Sequence, residues 1–217
     1  MNKLQGFSLI ELAMVLVIAG LLLAGVMRGQ ELIANAKVKS LASDFRNIPA
    51  YIYGYQDRFR ALPGDDHVAD IHLAGGVNAT SGNQAQNGLI EGAWSSDTAT
   101  DESYLLWQHL RLAGFATGSA VVGSAQYVPR NSEGGRLGIT NSGTLGIGSG
   151  TFNGMHALCS DGILGKYALQ LDIMLDDGVG DSGAMRILNN GTQSSGAPNT
   201  GTATLQSAMP YLVCMSF

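Results

Sequence analysis

Gly6-Phe7-Ser8-Leu9-Ile10-Glu11-Leu12 opens a run in which Ala13–Met27 carries no charge. One acid, Glu11, therefore stands near the start of an apolar stretch of about twenty residues, the length an α-helix needs to cross a bilayer core of about 30 Å. A carboxylate at mid-membrane costs roughly 2.5–3.5 kcal/mol on insertion scales, and less near one end of the span. No basic residue lies between Lys3 and Arg28. An ordinary secretory signal is a poor match. Its apolar region covers about 7–15 residues and its small-residue cleavage site comes afterwards, whereas Gly6 precedes this longer run.

Gly6-Phe7-Ser8-Leu9-Ile10-Glu11 resembles the class III signal of type IV pilins and of the pseudopilins of type II secretion, most closely over Lys3–Arg28. The resemblance implies a prepilin peptidase that cuts between Gly6 and Phe7, followed by N-methylation of Phe7. It also gives Glu11 a role in assembly. The cut frees a positive α-amine on Phe7, which Glu11 of a neighbouring subunit neutralises; two charges in an apolar filament core are tolerable as a pair. A count of basic residues, with Arg28, Lys37 and Lys39 after the span, would not by itself place the N-terminus in the cytoplasm, so the orientation comes from the resemblance. Many type IV pilins carry a helix-breaking proline just after the apolar run; here Arg28 and Gly29 occupy that region.

With 217 residues, 13% of them charged, and a formal charge of −5, the chain is long enough for one domain plus an extended element and is far from a basic nucleic-acid binder. Neither a basic stripe nor an aromatic platform points to nucleic acid. The two cysteines, Cys159 and Cys214, lie in the last third. Export would carry both thiols into an oxidising compartment, where pairing is favoured. The resemblance implies the same disulfide, since many type IV pilins close a C-terminal loop with two cysteines. Such a link would contribute roughly 4 kcal/mol in the chain-entropy model. The alternative is a pair of buried free thiols.

Beyond Arg28 the pattern turns amphipathic. Leu32, Ile33, Ala36, Leu41, Ala42, Phe45 and Ile48 recur near helical spacing between Lys37, Lys39, Asp44 and Arg46. One helix from about Phe7 to about Arg58 is predicted, on the order of 75–80 Å long, with a kink at Pro49 and a stop at Pro63-Gly64. The chain then divides into a leader over 1–6, a membrane-spanning or filament-core helix over 7–28, an amphipathic continuation over 29–60 and a globular head over 61–217.

In the head, Gly75–Thr100 reads as mostly irregular. Asp101 is an N-cap for a short helix to Ala113, with Gly114 as its stop. Ala120–Val128, Gly135–Thr140, Gly183–Leu188 and Tyr211–Phe217 read as strands. Leu164–Leu175 fits both a strand and a helix, and Gly178 at a helix-stop position tips it to helix. Asn189–Thr204 reads as an exposed polar loop. The expected fold class is α+β: a long N-terminal helix packed on a small antiparallel sheet.

Three constellations bear on chemistry. Gly180-Asp181-Ser182-Gly183 has the form of a serine-protease nucleophile motif, and His156 lies nearby in sequence. The segment is too short to bring a serine, a base and an acid together as that mechanism requires. Asp172, Asp176, Asp177 and Asp181 cluster around two glycines; oxygen-rich loops of this kind can hold Ca²⁺, and the alternative is a set of acidic turns bonding back to their own backbone. His67, Asp70 and His72 are spaced wrongly for one helical face and read as surface polar residues. No other metal or cofactor is expected.

The expected function is structural, not enzymatic. The chain is a prepilin processed after Gly6 and polymerised through its N-terminal helix into a type IV pilus-like filament, with a pseudopilin of type II secretion as the alternative and a membrane-anchored enzyme as the opposing class. Its partners are the prepilin peptidase and identical or related pilin subunits. It is placed in the inner membrane before assembly, then in an extracellular pilus or a periplasmic pseudopilus.

Overall fold

The computed structural model describes residues 9–82, 86–145, 152–189 and 205–217. The first helix, α1, runs from Leu9 to Phe59 and continues through Pro49. The chain divides into two units between Lys37 and Val38. In the first, the helix is apolar around its whole circumference and its large side chains are exposed, from Leu9 through Met27 to Ile33. Its most apolar 18-residue window has a mean hydropathy of 2.6 and no buried residue. This is one helix long and apolar enough to cross a membrane.

In the second unit α1 shows a stripe. Val38, Leu41, Ala42, Phe45, Ile48, Ile52 and Tyr55 are buried at helical spacing. The helix ends where the chain goes left-handed at Arg60 (φ 57°) and again at Gly64 (φ 92°). A side chain at Gly64 would meet the Glu102 carbonyl oxygen at 2.5 Å, so this turn requires glycine for contact as well as for φ.

A short helix, α2 (Ala69–His72), and then α3 (Glu102–Leu112) follow. Asp101 occupies the N-cap position of α3, but its side chain does not cap the helix. It accepts a 2.6 Å bond from Ser96 Oγ instead. Every residue from Glu102 to Leu110 is buried, so α3 is surrounded on all sides, where the sequence pattern suggested a single apolar face.

The sheet has the order β1-β2-β4-β3, with β1 at Leu137–Asn141, β2 at His156–Leu164, β3 at Met185–Asn189 and β4 at Pro210–Ser216. All three pairings are antiparallel. Helix α4 (Gly165–Leu175) joins β2 to β3 and packs on the sheet. The second half of α1 packs with the same sheet, and Tyr53 meets Phe217 edge-on with ring centroids 6.1 Å apart. The architecture is α+β, as expected.

Two strand expectations need correction. Ala120–Val128 is a series of turns. Side chains of α3 take carbonyls at its two ends: Arg111 Nη1 donates to the Tyr127 carbonyl and, just before the segment, to the Ser119 carbonyl at 2.8 Å, and Gln108 Nε2 donates to the Ala120 carbonyl. Conversely β2, a central strand, was not expected. Most of its residues are buried, and a register shift between Ser160 and Ile163 interrupts its pairing with β4, so it lacks the period-two signal of a half-exposed strand.

One core cluster joins Trp94, Phe152, Ala157, Cys159, Leu188, Leu212 and Cys214. Cys159 and Cys214 sit directly opposite each other on β2 and β4 and form a disulfide. The loop between α2 and α3 is irregular, as expected, yet it delivers Ile90 and Trp94 into the interior. Most of the 189–204 loop lies outside the described residues, as do Gly6 and Phe7 at the expected cleavage point.

Candidate functional site

Glu11 is the acid of the first described turn of α1, within a helix whose neighbouring side chains Leu9, Ile10, Leu12, Met14 and Val15 all face outward. An apolar surface that covers every side of a helix is stable only against lipid or against other apolar helices. The carboxylate is therefore carried on a surface meant to leave water.

The second unit uses acids in the opposite way. Asp66, fully buried, accepts 2.7 Å bonds at Oδ2 from the Tyr55 hydroxyl and from His72 Nδ1, and a 3.2 Å bond at Oδ1 from the Val68 N–H. Tyr55 stacks on His109. His109 Nδ1 accepts from the Gly64 N–H at 3.0 Å while its Nε2 donates to the Val77 carbonyl at 2.8 Å. Burial keeps this imidazole neutral, with its pKa below the ordinary range. The network ties the end of α1 to α3. Asp65 Oδ2 accepts from the Gly88 N–H at 2.8 Å, and Glu102 Oε2 accepts from the Glu91 N–H at 2.7 Å. Two buried carboxylates thus pin the loop before α3. Burial, and next to it the charges of Asp65, Glu91 and Asp101, push the Glu102 carboxyl up to about 7.

His72 bonds to Asp66, Asp70 accepts a 2.9 Å bond from Asn78 Nδ2, and His67 is exposed. The serine of the Gly180–Gly183 motif donates a 2.6 Å bond to Asp177 Oδ2. His156 lies on β2 against the Phe217 ring.

Of the four aspartates around Gly178, the structure gathers Asp172, Asp176 and Asp177, whose oxygens come within 4.8 Å of one another. Asp181 is exposed and outside that group. Burial, then the charges of Asp177 and Asp176, raise the Asp172 carboxyl to about 6. The sequence singled out these acids by number; it held no sign that one of them is interior, because that depends on α4 packing on the sheet.

Residues 1–27 match the family model described as the prokaryotic N-terminal methylation motif. This is the class III signal characteristic of type IV pilins and pseudopilins. No curated protein and no solved structure matches the chain.

Proposed function

We propose that this chain is a prepilin cut between Gly6 and Phe7, methylated on Phe7 and polymerised through its N-terminal helix into a type IV pilus-like filament. The observation that carries this reading is the methylation motif over residues 1–27 set on a helix whose apolar residues all stand exposed. A surface of that kind is first solvated by the inner membrane and then by the helices of other subunits. Removing the leader creates the ammonium that Glu11 of a neighbour meets, so the subunit becomes polymerisable only after processing. The disulfide between Cys159 and Cys214 suits a head that works outside the cytoplasm.

Intact-mass and N-terminal analysis of the protein isolated from its own cells tests this. The expected product begins with methylated Phe7, and Gly6→Ala leaves the chain unprocessed and abolishes filaments. A native chain that retains Met1 while filaments still form would end the proposal.

A further inference from the structure

We propose that the groove between α1 and the end of α4 binds the phosphate group of an anionic ligand. The groove lies wholly within the second unit and encloses about 480 Å³. Lys39, Ala42, Ser43, Arg46 and Asn47 of α1 line one side and Met174 of α4 the other, with no acid among them.

Positions 39, 43, 46 and 47 fall on one helical face, and all four side chains are exposed. Lys39 and Arg46 stand two turns apart, about 10 Å along the axis, with Ser43 between them. Asn47 Nδ2 donates to Ser43 Oγ at 2.9 Å. That bond uses a lone pair of the hydroxyl and leaves its O–H free to donate. An ammonium, a hydroxyl and a guanidinium are thus offered to one space.

The two cations carry the inference. Among the described residues of the second unit, Lys39 and Arg46 are the basic side chains with no ion pair, hydrogen bond or ring contact. The others are engaged. Arg58, Arg111, Arg130 and Arg186 donate to backbone carbonyls. Arg60 and Arg136 pair with aspartates, and Lys166 lies over the Tyr167 ring. The neighbouring acids do not offset the pair. Asp44 falls between them in sequence but does not line the groove. Asp176 and Asp177, beyond α4, already accept from the Met185 and Val179 N–H groups. In a chain of formal charge −5, both unpartnered cations of the head open into a single groove.

The donor set favours phosphate over a carboxylate. A guanidinium takes two oxygens of a phosphate in its planar fork, and a tetrahedral anion still presents oxygens to an ammonium and a hydroxyl on its other sides. Ala42 and Met174 add an apolar wall. The phosphate can come from a phospholipid headgroup, whose glycerol and chain that wall would cover, or from the free anion.

The experiment uses the full chain, isotope-labelled, in maltoside micelles, which contain no phosphate. Its amide and methionine-methyl NMR signals are followed at constant ionic strength during titration with dihexanoyl-phosphatidylglycerol, dihexanoyl-phosphatidylcholine, sodium phosphate or sodium acetate. Saturable shifts are expected at Ser43, Arg46 and Asn47 with phosphatidylglycerol and with phosphate, and weaker ones with the other two. Lys39→Gln and Arg46→Gln, both exposed changes that the fold tolerates, each weaken binding about fivefold, the usual effect of one basic residue at an anionic surface; the double variant loses it. Tighter binding of phosphatidylglycerol, with movement of the Met174 methyl, assigns the site to a headgroup, and tighter binding of phosphate assigns it to the free anion; either supports the proposal. It is overturned by an absence of saturable shifts with both, by undiminished binding in the double variant, by equal responses to the two lipids, or by acetate binding as well as phosphate, which would make a carboxylate of a second copy the fitting occupant.

Discussion

The two halves of α1 belong to one continuous helix and present their apolar residues differently. From Leu9 to Ile33 its leucines, isoleucines and valines are exposed, Leu9 at 88%. From Val38 onward the apolar residues of one stripe, Val38, Leu41, Ala42, Phe45, Ile48, Ile52 and Tyr55, are buried, Phe45 at 0%. Apolar content falls from the first half to the second, and its arrangement changes with it. In the first half the apolar residues surround the axis, and in the second they form a stripe between Lys39, Asp44 and Arg46. A stripe can be covered by one sheet and one neighbouring helix; a full circumference needs a medium. The acids follow the same division. Asp65, Asp66 and Glu102 in the head are interior and tied to backbone or hydroxyl donors, whereas Glu11 rides on the outer apolar surface.

Truncation tests that contrast most strongly. Phe45→Ala should destabilise the head by about 3–5 kcal/mol, the usual cost of a buried aromatic, while Leu16→Ala leaves its melting curve unchanged. Denaturant melts of both variants in micelles measure the difference, and equal effects would erase the distinction between the halves. The head's cross-link comes next. Replacing Cys159 and Cys214 together by Ala should cost about 2–5 kcal/mol, read from the same melts.

The interior acids give the third test. Glu102 has an ordinary pKa of 4.5, and burial raises it to about 7 in the folded head. Between those values the folded state holds the proton more tightly than the unfolded chain, so stability falls as pH rises from about 4.5 to about 7. Glu102→Gln keeps an acceptor for the Glu91 N–H and discards the charge. It should flatten that slope and raise stability at pH 8 by about 1–3 kcal/mol, followed by melting across pH. The smallest effect belongs to the Asp57–Arg60 pair, 3.8 Å apart with both side chains 84% exposed. Asp57→Asn should change stability by less than about 0.5 kcal/mol, and a larger loss would show that the end of α1 relies on its surface charges.

Local chemistry made much of this legible in the sequence. The apolar run, the charges at Lys39, Asp44 and Arg46, and Pro63-Gly64 announce α1 and its end. Gly178 announces the end of α4, which spans Gly165–Leu175 as the helix reading held. What stayed hidden depends on partners distant in sequence. β2 contains Ser160-Asp161-Gly162, which reads as a turn; it is a strand because β1 and β4 flank it. The 120–128 segment has strand-like residues, but it runs as turns, with Arg111 on the Tyr127 carbonyl and Gln108 on the Ala120 carbonyl. At the acidic turn the four aspartates were visible, and the burial of Asp172 was not, since it follows from tertiary packing. The reach of Asp65 and Glu102 across 23 and 11 residues to backbone N–H groups has no local signature.

The link between β2 and β4 also governs how the molecule would behave under load. A subunit held in a fibre by its helix and pulled at its head can give up slack only from chain outside the covalent ring. The ring encloses a sequence separation of 55 residues, which at roughly 3.4 Å each withholds about 190 Å of contour length. A tensed fibre could therefore lose part of a head's packing and still keep α4, β3 and their neighbouring strands tethered in a closed circuit, ready to reseal when the force drops.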